Sequence, residues 1–489
     1  MLAYRKTFSG GFFLKNFSGI PKPTIEEVPL PARVIIPLKQ GYGSEVPPTV
    51  KPLDKVTAGQ VIGIRDSSIS TPVLASVNGT VEQFIKIKYL NNEVYAIVIK
   101  SDGSKGWTKI EVASPKFESK KPDEIGKILY TAGVTSLGPS GFPTRYNTSS
   151  AKVENITDLI INAVNTEPFL PTNEILLKGN PETSSGQAIE RFVTGVRILR
   201  QALPKANVHI GINRQDNEII IKLINAAKGR GTQAGLGSWL HIYPLKPKYP
   251  QEHEAVLTNT ILSRVVPYGG HAADIGIVVL DVQAVLHAYE AVVEGKPLIE
   301  RIVTLGGSAY KDNIAVKVRV GTPIEHILAH RIKGDVEKRV ILGGIMTGIT
   351  QSDLSVPITK TTSSIVALEE NKKREFLTFL RPGINRHSFS NTFLSAIFPF
   401  WKKRSDTNIH GEFRPCIVCT YCTDACPVDM MPHLLSKYVR FGPLEETLKL
   451  KLYACIDCGL CTYVCPAKIP LMEDIQAGRR RIVEEGVSV

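Results

Sequence analysis

The placement of the cysteines constrains this chain more than any other feature. All eight lie in two runs, "CIVCTYCTDACP" from residue 416 and "CIDCGLCTYVCP" from residue 455. Such a grouping can serve disulfides, zinc or iron–sulfur clusters. The N-terminal "MLAYRKTFSGGFFLKNF" lacks the apolar stretch and the cleavage site of a signal peptide. This predicts a cytosolic protein, in which reduced thiols argue against a disulfide framework.

The spacing within the runs separates the two remaining chemistries. Both runs read C-x2-C-x2-C-x3-C followed by proline, whereas zinc ribbons use two C-x2-C pairs with a longer gap between them. In bacterial two-cluster ferredoxins the fourth cysteine of such a run ligates the neighbouring cluster. The sequence therefore predicts two [4Fe–4S] clusters. One is held by Cys416, Cys419, Cys422 and Cys465, and the other by Cys455, Cys458, Cys461 and Cys426.

Composition limits the remaining function classes. The 489 residues are enough for several domains, and 43% of them are hydrophobic, as in soluble globular proteins. No run of 18 uncharged apolar residues predicts a membrane span. The net charge of +13 favours an acidic partner or an anionic membrane surface. The basic residues are scattered and accompany no nucleic-acid-binding motif, so no nucleic acid is expected as a partner.

The first quarter of the chain has the pattern of a β domain. From about residue 32 to 103, short stretches of alternating apolar and polar residues are separated by Gly, Pro and Asn turns. "VTAGQVIGI" followed by "ASVNGTV" resembles a barrel-sandwich domain of the biotinyl/lipoyl type. The hairpin "ASVNGT" lacks the lysine that true carriers modify, so a structural role is expected.

The next region alternates strands with helices. Apolar runs of strand length occur at 158–164, 207–213, 240–245 and 275–281, and "GQAIERFVTGVRILRQAL" has helical periodicity. This alternation predicts a largely parallel sheet covered by helices, with ligands beyond the carboxyl ends of its strands. Residues 300–330 then predict two strands and a short helix that opens at Pro323, which suits a β-grasp unit.

These patterns predict an α/β multidomain protein. Its parts are a barrel-sandwich domain, an α/β domain, a β-grasp domain, a linker or docking segment and a helical dicluster ferredoxin-like domain. Their predicted boundaries are residues 1–120, 121–299, 300–350, 351–410 and 411–489.

Longer stretches of the chain carry a family resemblance. They include "FSGGFFLKNFSG", "AGVTSLGPSGFPT", "LIINAVNTEPFLPTNE", "KYPQEHEAVL" and "GGIMTG", together with both cysteine runs. On these motifs the chain resembles the RnfC/NqrA family, which contains a subunit of the Rnf electron-transport complex and a subunit of the sodium-pumping NADH:quinone reductase. The resemblance implies that the α/β domain is like the flavin-bearing subunit of respiratory complex I, and that the β-grasp unit is SLBB-like.

The resemblance also implies a function. The chain would be a peripheral subunit on the cytoplasmic side of the membrane, within an ion-translocating oxidoreductase. It would relay electrons between a soluble donor, NADH or ferredoxin, and membrane subunits or quinone. Two alternatives stay open: a relay and scaffold that has lost its FMN/NADH site, and a soluble flavin-dependent corrin reductase.

The resemblance implies FMN as a further cofactor and places its site in three motifs. The implied FMN/NADH residues are Gly138, Gly141, Phe142, Thr144, Asn162 and Glu167. Each motif departs from the family pattern, with Pro139 in the glycine-rich loop, Asn165 for a carboxylate, and Glu252 and His253 for two glycines. Pro139 removes a backbone donor, and the larger side chains crowd a ligand near the backbone. The sequence assigns no catalytic residue.

Overall fold

The fold is described for most of the chain by a computed structural model. The described residues are 7–14, 17–41, 44–65, 71–89, 92–111, 113–114, 116–135, 155–179, 185–228, 239–334, 336–373, 407–409 and 412–487. Within these ranges no helix is both long enough and apolar enough to cross a bilayer.

The N-terminal β unit contains an antiparallel four-stranded sheet and a two-stranded ribbon. The sheet strands, in spatial order, are Arg33–Pro37, Asn92–Ser101, Gly79–Tyr89 and Lys55–Val56, and the ribbon pairs Val61–Gly63 with Val73–Leu74. Alternate residues such as Val34, Ile36 and Ile97 are fully buried in its core, as the alternating pattern predicted. Gly79 is required in the "ASVNGT" hairpin, because a Cβ there would lie 1.9 Å from the carbonyl oxygen of Lys100.

The α/β unit is built on a four-stranded, fully parallel sheet. Its strands in spatial order are Leu240–Leu245, Asn207–Asn213, Asp158–Ala163 and Ile277–Asp281. Helices Pro122–Thr131, Thr172–Lys178, Ser185–Ala202, Asn217–Lys228, Glu254–Leu262 and Val282–Tyr289 surround it, with helical turns at Phe117–Ser119, Ala272–Ile275 and Glu290–Glu294. Leu159 and Ile161 enter one core, and Ile160 enters another on the opposite face. Both faces of the sheet are therefore covered, which explains its uninterrupted apolar strands.

A third unit is a mixed six-stranded sheet. Its strands in spatial order are Ile25–Glu27, Ile314–Arg319, Glu300–Gly306, Ser364–Glu369, Lys338–Leu342 and Ile349–Gln351, and helix Ile324–Leu328 begins after Pro323. Strand Ser364–Glu369 pairs with two neighbours in the middle of the sheet. The predicted boundary at residue 350 is therefore wrong, because it cuts through this sheet. Ile25–Glu27 also joins this sheet and not the N-terminal one.

The C-terminal unit is helical. Its helices are Tyr421–Asp424, Pro432–Phe441, Glu445–Lys449, Leu460–Val464 and Leu471–Glu485, with a turn at Leu452–Ala454. The longest helices, Pro432–Phe441 and Leu471–Glu485, pack against each other, and Gly478 allows the close approach because a Cβ there would meet Val439 at 2.5 Å. The two short helices each carry the third cysteine of a run, so the helical pair supports both cysteine loops.

Candidate redox site

The eight cysteines surround two small cavities, four to each. The outer quartet consists of Cys416, Cys419, Cys422 and Cys465. The inner quartet consists of Cys426, Cys455, Cys458 and Cys461. The fourth cysteine of each run therefore lies beside the first three of the other run. Among the described residues, no three His, Cys, Asp or Glu side chains lie close enough together to chelate a single metal ion.

The cysteine loops depend on left-handed backbone positions. In the first run Val418 and Thr420 have φ of 52° and 60°, and in the second Asp457 and Gly459 have φ of 53° and 73°. Such turns let the chain curl so that three cysteines face one space. Three of these four residues are not glycine, and this conformation is costly for a β-branched side chain such as Val418.

The two quartets differ in exposure. Cys416 is exposed, whereas Cys426, Cys458 and Cys461 are buried. Burial raises the pKa of Cys422 and of Cys455 to about 11. Because iron is bound by thiolates, a buried quartet needs the positive charge of the metal to hold its sulfurs deprotonated.

A cavity of about 820 Å³ adjoins the inner quartet. It lies where the central strands Asp158–Ala163 and Ile277–Asp281 end, and the loop from Cys455 to Cys458 forms its opposite wall. Parallel α/β sheets bind ligands at this edge. The position agrees with the sequence prediction that a ligand binds beyond the strand ends.

Glu167 is committed to a turn of the mixed sheet. Its Oε1 accepts hydrogen bonds from the backbone N–H groups of Met346 at 2.7 Å and Thr347 at 3.1 Å. A Cβ at Gly344 would lie only 2.0 Å from Oε1, so the "GGIMTG" turn is shaped around this carboxyl. Burial raises the pKa of Glu167. The side chain anchors one unit to another and presents little to the cavity.

Asn162 is likewise satisfied within the protein. Its Nδ2 donates to the carbonyl oxygen of Glu252 at 2.8 Å, and its Oδ1 accepts from the N–H of Val164 at 3.2 Å. The structure therefore brings Asn162 and Glu167 to the rim of one cavity. The other four implied FMN/NADH residues, Gly138, Gly141, Phe142 and Thr144, lie outside the described residues.

The residues that replace the family glycines also line this cavity. The hydroxyl of Thr166 donates to Oε2 of Glu252, while Oε1 is buried without a hydrogen-bond partner among the described residues. Burial, and then the Glu167 carboxylate, raise the pKa of Glu252 to about 8. His253 accepts from the N–H of Ala255 at 3.3 Å and so caps helix Glu254–Leu262. Burial lowers the pKa of His253.

Sequence reasoning missed the contacts that hold the inner quartet in place. The hydroxyl of Tyr249 donates to the carbonyl oxygen of Cys458 at 2.7 Å. Residues 7–14, here called the N-terminal strap, lie against the same place: the N–H of Gly11 donates to Ala425 at 2.8 Å, and Phe12 forms a β-bridge with Tyr249. A Cβ at Gly10 would meet the carbonyl oxygen of Cys426 at 2.4 Å. The only sequence signal for these contacts is the motif "FSGGFFLKNFSG" itself.

Family models match three parts of the chain. The RnfC barrel sandwich hybrid domain matches residues 6–104, the Nuo51 FMN-binding domain residues 129–290, and the 4Fe-4S dicluster domain residues 415–469. These matches confirm the predicted barrel-sandwich, flavin-subunit-like and dicluster parts of the fold.

Curated relatives match nearly the whole chain. The RnfC-type subunit of an ion-translocating oxidoreductase complex from Pseudomonas aeruginosa is 31% identical over 94% of this chain and 54% of its own length. The corresponding subunit of a proton-translocating ferredoxin:NAD(+) oxidoreductase complex from Clostridium ljungdahlii is 30% identical over 88% of this chain and 84% of its own. The chain thus spans about half the length of the Pseudomonas relative. These matches support the RnfC side of the resemblance and not the NqrA side.

A solved structure shows a weaker similarity. A chain of an NAD+-reducing [NiFe]-hydrogenase in the H2-reduced state is 17% identical and has a TM-score of 0.46 over 78% of this chain and 66% of its own.

Proposed function

This chain belongs to the RnfC family of ion-translocating oxidoreductase complexes, and on that premise we propose that it is the peripheral electron-transfer subunit of such a complex. It relays electrons through two [4Fe–4S] clusters between a soluble donor, NADH or ferredoxin, and membrane subunits that reach quinone. Iron–sulfur clusters of this type supply one-electron chemistry. The contribution of the chain is to hold them, to separate them from water and to fix their order.

The observation that carries the proposal is the position of the inner quartet between the cavity and the outer quartet. Cys455 and Cys458 border the cavity, whereas Cys416 of the outer quartet is exposed. A donor in the cavity is therefore close to one quartet, and a partner protein on the surface is close to the other. The crossing of Cys426 and Cys465 between the runs ties the two quartets together.

The surface over the outer quartet supports the contact with a partner. Phe413, Ile417 and Val418 are each about two-thirds exposed. Val418 also holds the costly left-handed conformation, and such strain in an exposed loop is typical of a functional contact. Removal of these apolar side chains from water would favour docking. The net charge of +13 favours an acidic partner or the anionic cytoplasmic face of a membrane.

The cavity suits a flavin-sized ligand in volume and in polarity. Pockets of several hundred cubic ångströms are usual for such ligands. Three lining atoms are buried without a hydrogen-bond partner among the described residues: Thr172 Oγ1, Asn173 Oδ1 and Glu252 Oε1. These atoms would hold polar groups of a bound ring, and FMN would supply the exchange between two-electron and one-electron donors. Asn162 and Glu167 would act indirectly, by fixing the wall of the cavity.

A specific observation favours the second function, a relay without the FMN/NADH site. Glu252 places a carboxyl, with its pKa raised to about 8, in the cavity where the family has glycine. When ionised, this group repels the phosphates of a flavin or nicotinamide nucleotide. The relay function keeps both quartets and the docking surface and receives its electrons from a reduced protein.

Two finer assignments belong to the same proposal. The mixed sheet, with helix Ile324–Leu328 beside it, is of the β-grasp, SLBB-like type. The outer and inner quartets are the ligand sets of the two clusters. Outside the shifted boundary at residue 350, the predicted division of the chain into domains is kept as part of the proposal.

The test uses anaerobically purified protein with both clusters assembled. Addition of NADH is expected to bleach the broad visible iron–sulfur absorbance within the mixing time if the cavity binds FMN and NADH. Bleaching by dithionite or reduced ferredoxin, but not by NADH, would select the relay without that site. Protein that binds no iron–sulfur cluster after reconstitution would refute both functions.

A further inference from the structure

Arg479 makes a bidentate ion pair beside the inner quartet. Its Nη2 donates to Oδ1 of Asp457 at 2.8 Å and its Nη1 donates to Oδ2 at 3.1 Å. Nη2 also donates to the carbonyl oxygen of Cys455 at 3.1 Å. Asp457 lies between two cysteines of the quartet, so the guanidinium is fixed against the cysteine loop.

The support of Arg479 is rigid. It lies on helix Leu471–Glu485, whose Ile475 and Ile482 are buried in the core of the C-terminal unit. Arg479 is only a quarter exposed, and its Nε is buried without a hydrogen-bond partner among the described residues. Arg479 also lines the large cavity. The cation therefore stands between the cavity and the inner quartet.

The carboxylate that Arg479 binds is close to a sulfur. Oδ1 of Asp457 lies 3.7 Å from Sγ of Cys455. A bare carboxylate at this distance opposes the addition of an electron to a cluster held by that sulfur, because reduction adds negative charge. Groups beyond the ligands, and the charges among them, tune the potentials of such clusters. By neutralising Asp457, Arg479 removes this opposition.

The second cysteine run repeats the first after 39 residues, and this repeat supplies an internal comparison. Cys416, Cys419, Cys422 and Cys426 correspond to Cys455, Cys458, Cys461 and Cys465. Arg479 corresponds to Arg440, and Asp457 corresponds to Val418. Arg440 pairs with Asp474 on the neighbouring helix and not with a cysteine loop. The arrangement of an arginine over a loop carboxylate is thus a property of the inner quartet.

We infer that Arg479 sets the reduction potential of the inner cluster by neutralising Asp457, a role that rests on the proposed binding of two clusters. Arg479 is a positioning residue: it binds neither iron nor sulfur and acts through the carboxylate and the cysteine loop. Its effect is to make the cluster beside the cavity a better electron acceptor than the same loop would be without it.

The experiment is a redox titration of the full chain with both clusters assembled, followed by electron paramagnetic resonance. R479Q is expected to lower the midpoint potential of the inner cluster by at least the equivalent of a tenfold change in its reduction equilibrium, which is about 59 mV for one electron. D457N is expected to raise the same potential. The double variant should return towards the wild-type value, and R479K should retain most of it.

R440Q is the matched control, because it removes the corresponding arginine without touching the inner loop. It is expected to leave the potential of the inner cluster unchanged. An unchanged potential in R479Q, or an equal shift in R440Q, would overturn the inference. Iron content shows that each variant has kept its clusters, and if R479Q does not assemble, the direction of the shift in D457N decides. Absence of both clusters from the wild-type protein would instead refute the proposed function.

Discussion

The outer and inner quartets share one local sequence plan but lie in different surroundings. Each uses three cysteines at two-residue gaps, left-handed turns and a short helix. The outer loop is exposed at Cys416, Ile417 and Val418. The inner loop packs against the N-terminal strap, Tyr249 and the turn around Met346. The local plan therefore defines a cluster site, whereas contacts from distant parts of the chain define what each site faces.

The largest effect is expected from removal of a ligand at each quartet. C458S should abolish the inner cluster, lower the iron content by about half and stop the transfer of electrons from the cavity side. C416S should also lose about half of the iron, yet leave the inner cluster reducible. Metal binding is coupled to folding, so C458S should also lower the thermal midpoint more, because Cys458 lies in the junction between units.

Iron analysis, paramagnetic resonance and thermal unfolding of the two variants are the measurements. The comparison fails if C416S and C458S are equally stable and lose the same resonance.

A second test compares the residues that precede the third cysteine of each run. Leu460 is fully buried, and its repeat counterpart Tyr421 is only partly buried. L460A should lower the free energy of unfolding by about 2–5 kcal/mol, as other buried leucines do. Y421A should cost less, about 1 kcal/mol. Denaturant unfolding of both variants measures the difference, and equal costs would mean that the two halves are supported alike.

The inner side is also expected to respond to pH through Glu252. A carboxyl whose pKa is raised from 4.5 to about 8 in the folded state stabilises folding fully below pH 4.5, and this contribution is lost as the pH rises to 8. The free energy of unfolding should therefore fall by up to about 1.4 kcal/mol per pH unit in this window. E252Q should flatten that slope. Urea unfolding across this window is the measurement, and the same slope in both proteins would rule out Glu252 as its source.

The smallest effect on stability is expected from V418D, which copies the inner loop sequence into the outer one. Val418 is exposed and left-handed, and Asp adopts this conformation more easily than a β-branched residue. The free energy of unfolding should change by less than about 0.5 kcal/mol. Binding to the other subunits should nevertheless weaken, and pull-down with the membrane complex would measure this. Unweakened binding would show that the partner docks elsewhere.

Regular elements can be predicted well because their signals are local. The uninterrupted apolar runs at 207–213 and 240–245 are strands in the structure, as predicted. Periodicity also gives the helix at Ser185–Ala202 to within a residue. The division of the cysteines into quartets follows from the spacing, since the fourth cysteine of such a run, next to its proline, serves the neighbouring cluster.

The long-range polar contacts could not be predicted. Glu167 is expected at a flavin, yet its carboxyl accepts from a turn about 180 residues later, at Met346 and Thr347. Neither residue has a periodic signal, and a carboxylate is as suitable for backbone N–H groups as for a ligand. Strand Ser364–Glu369 falls in the predicted linker because a single short apolar stretch beyond residue 350 does not indicate its partners.

The N-terminal strap has a consequence for the order in which this molecule is made. Residues 7–14 leave the ribosome early, yet their partners Ala425 and Cys426 are synthesised more than 400 residues later. Domains generally fold as they emerge, from the N-terminus onwards, so the strap has to wait for the C-terminal unit. Iron and sulfide can enter the inner quartet during this interval, before the strap and Tyr249 cover it. A shortage of iron during synthesis would then leave a chain in which these two distant segments have little reason to meet.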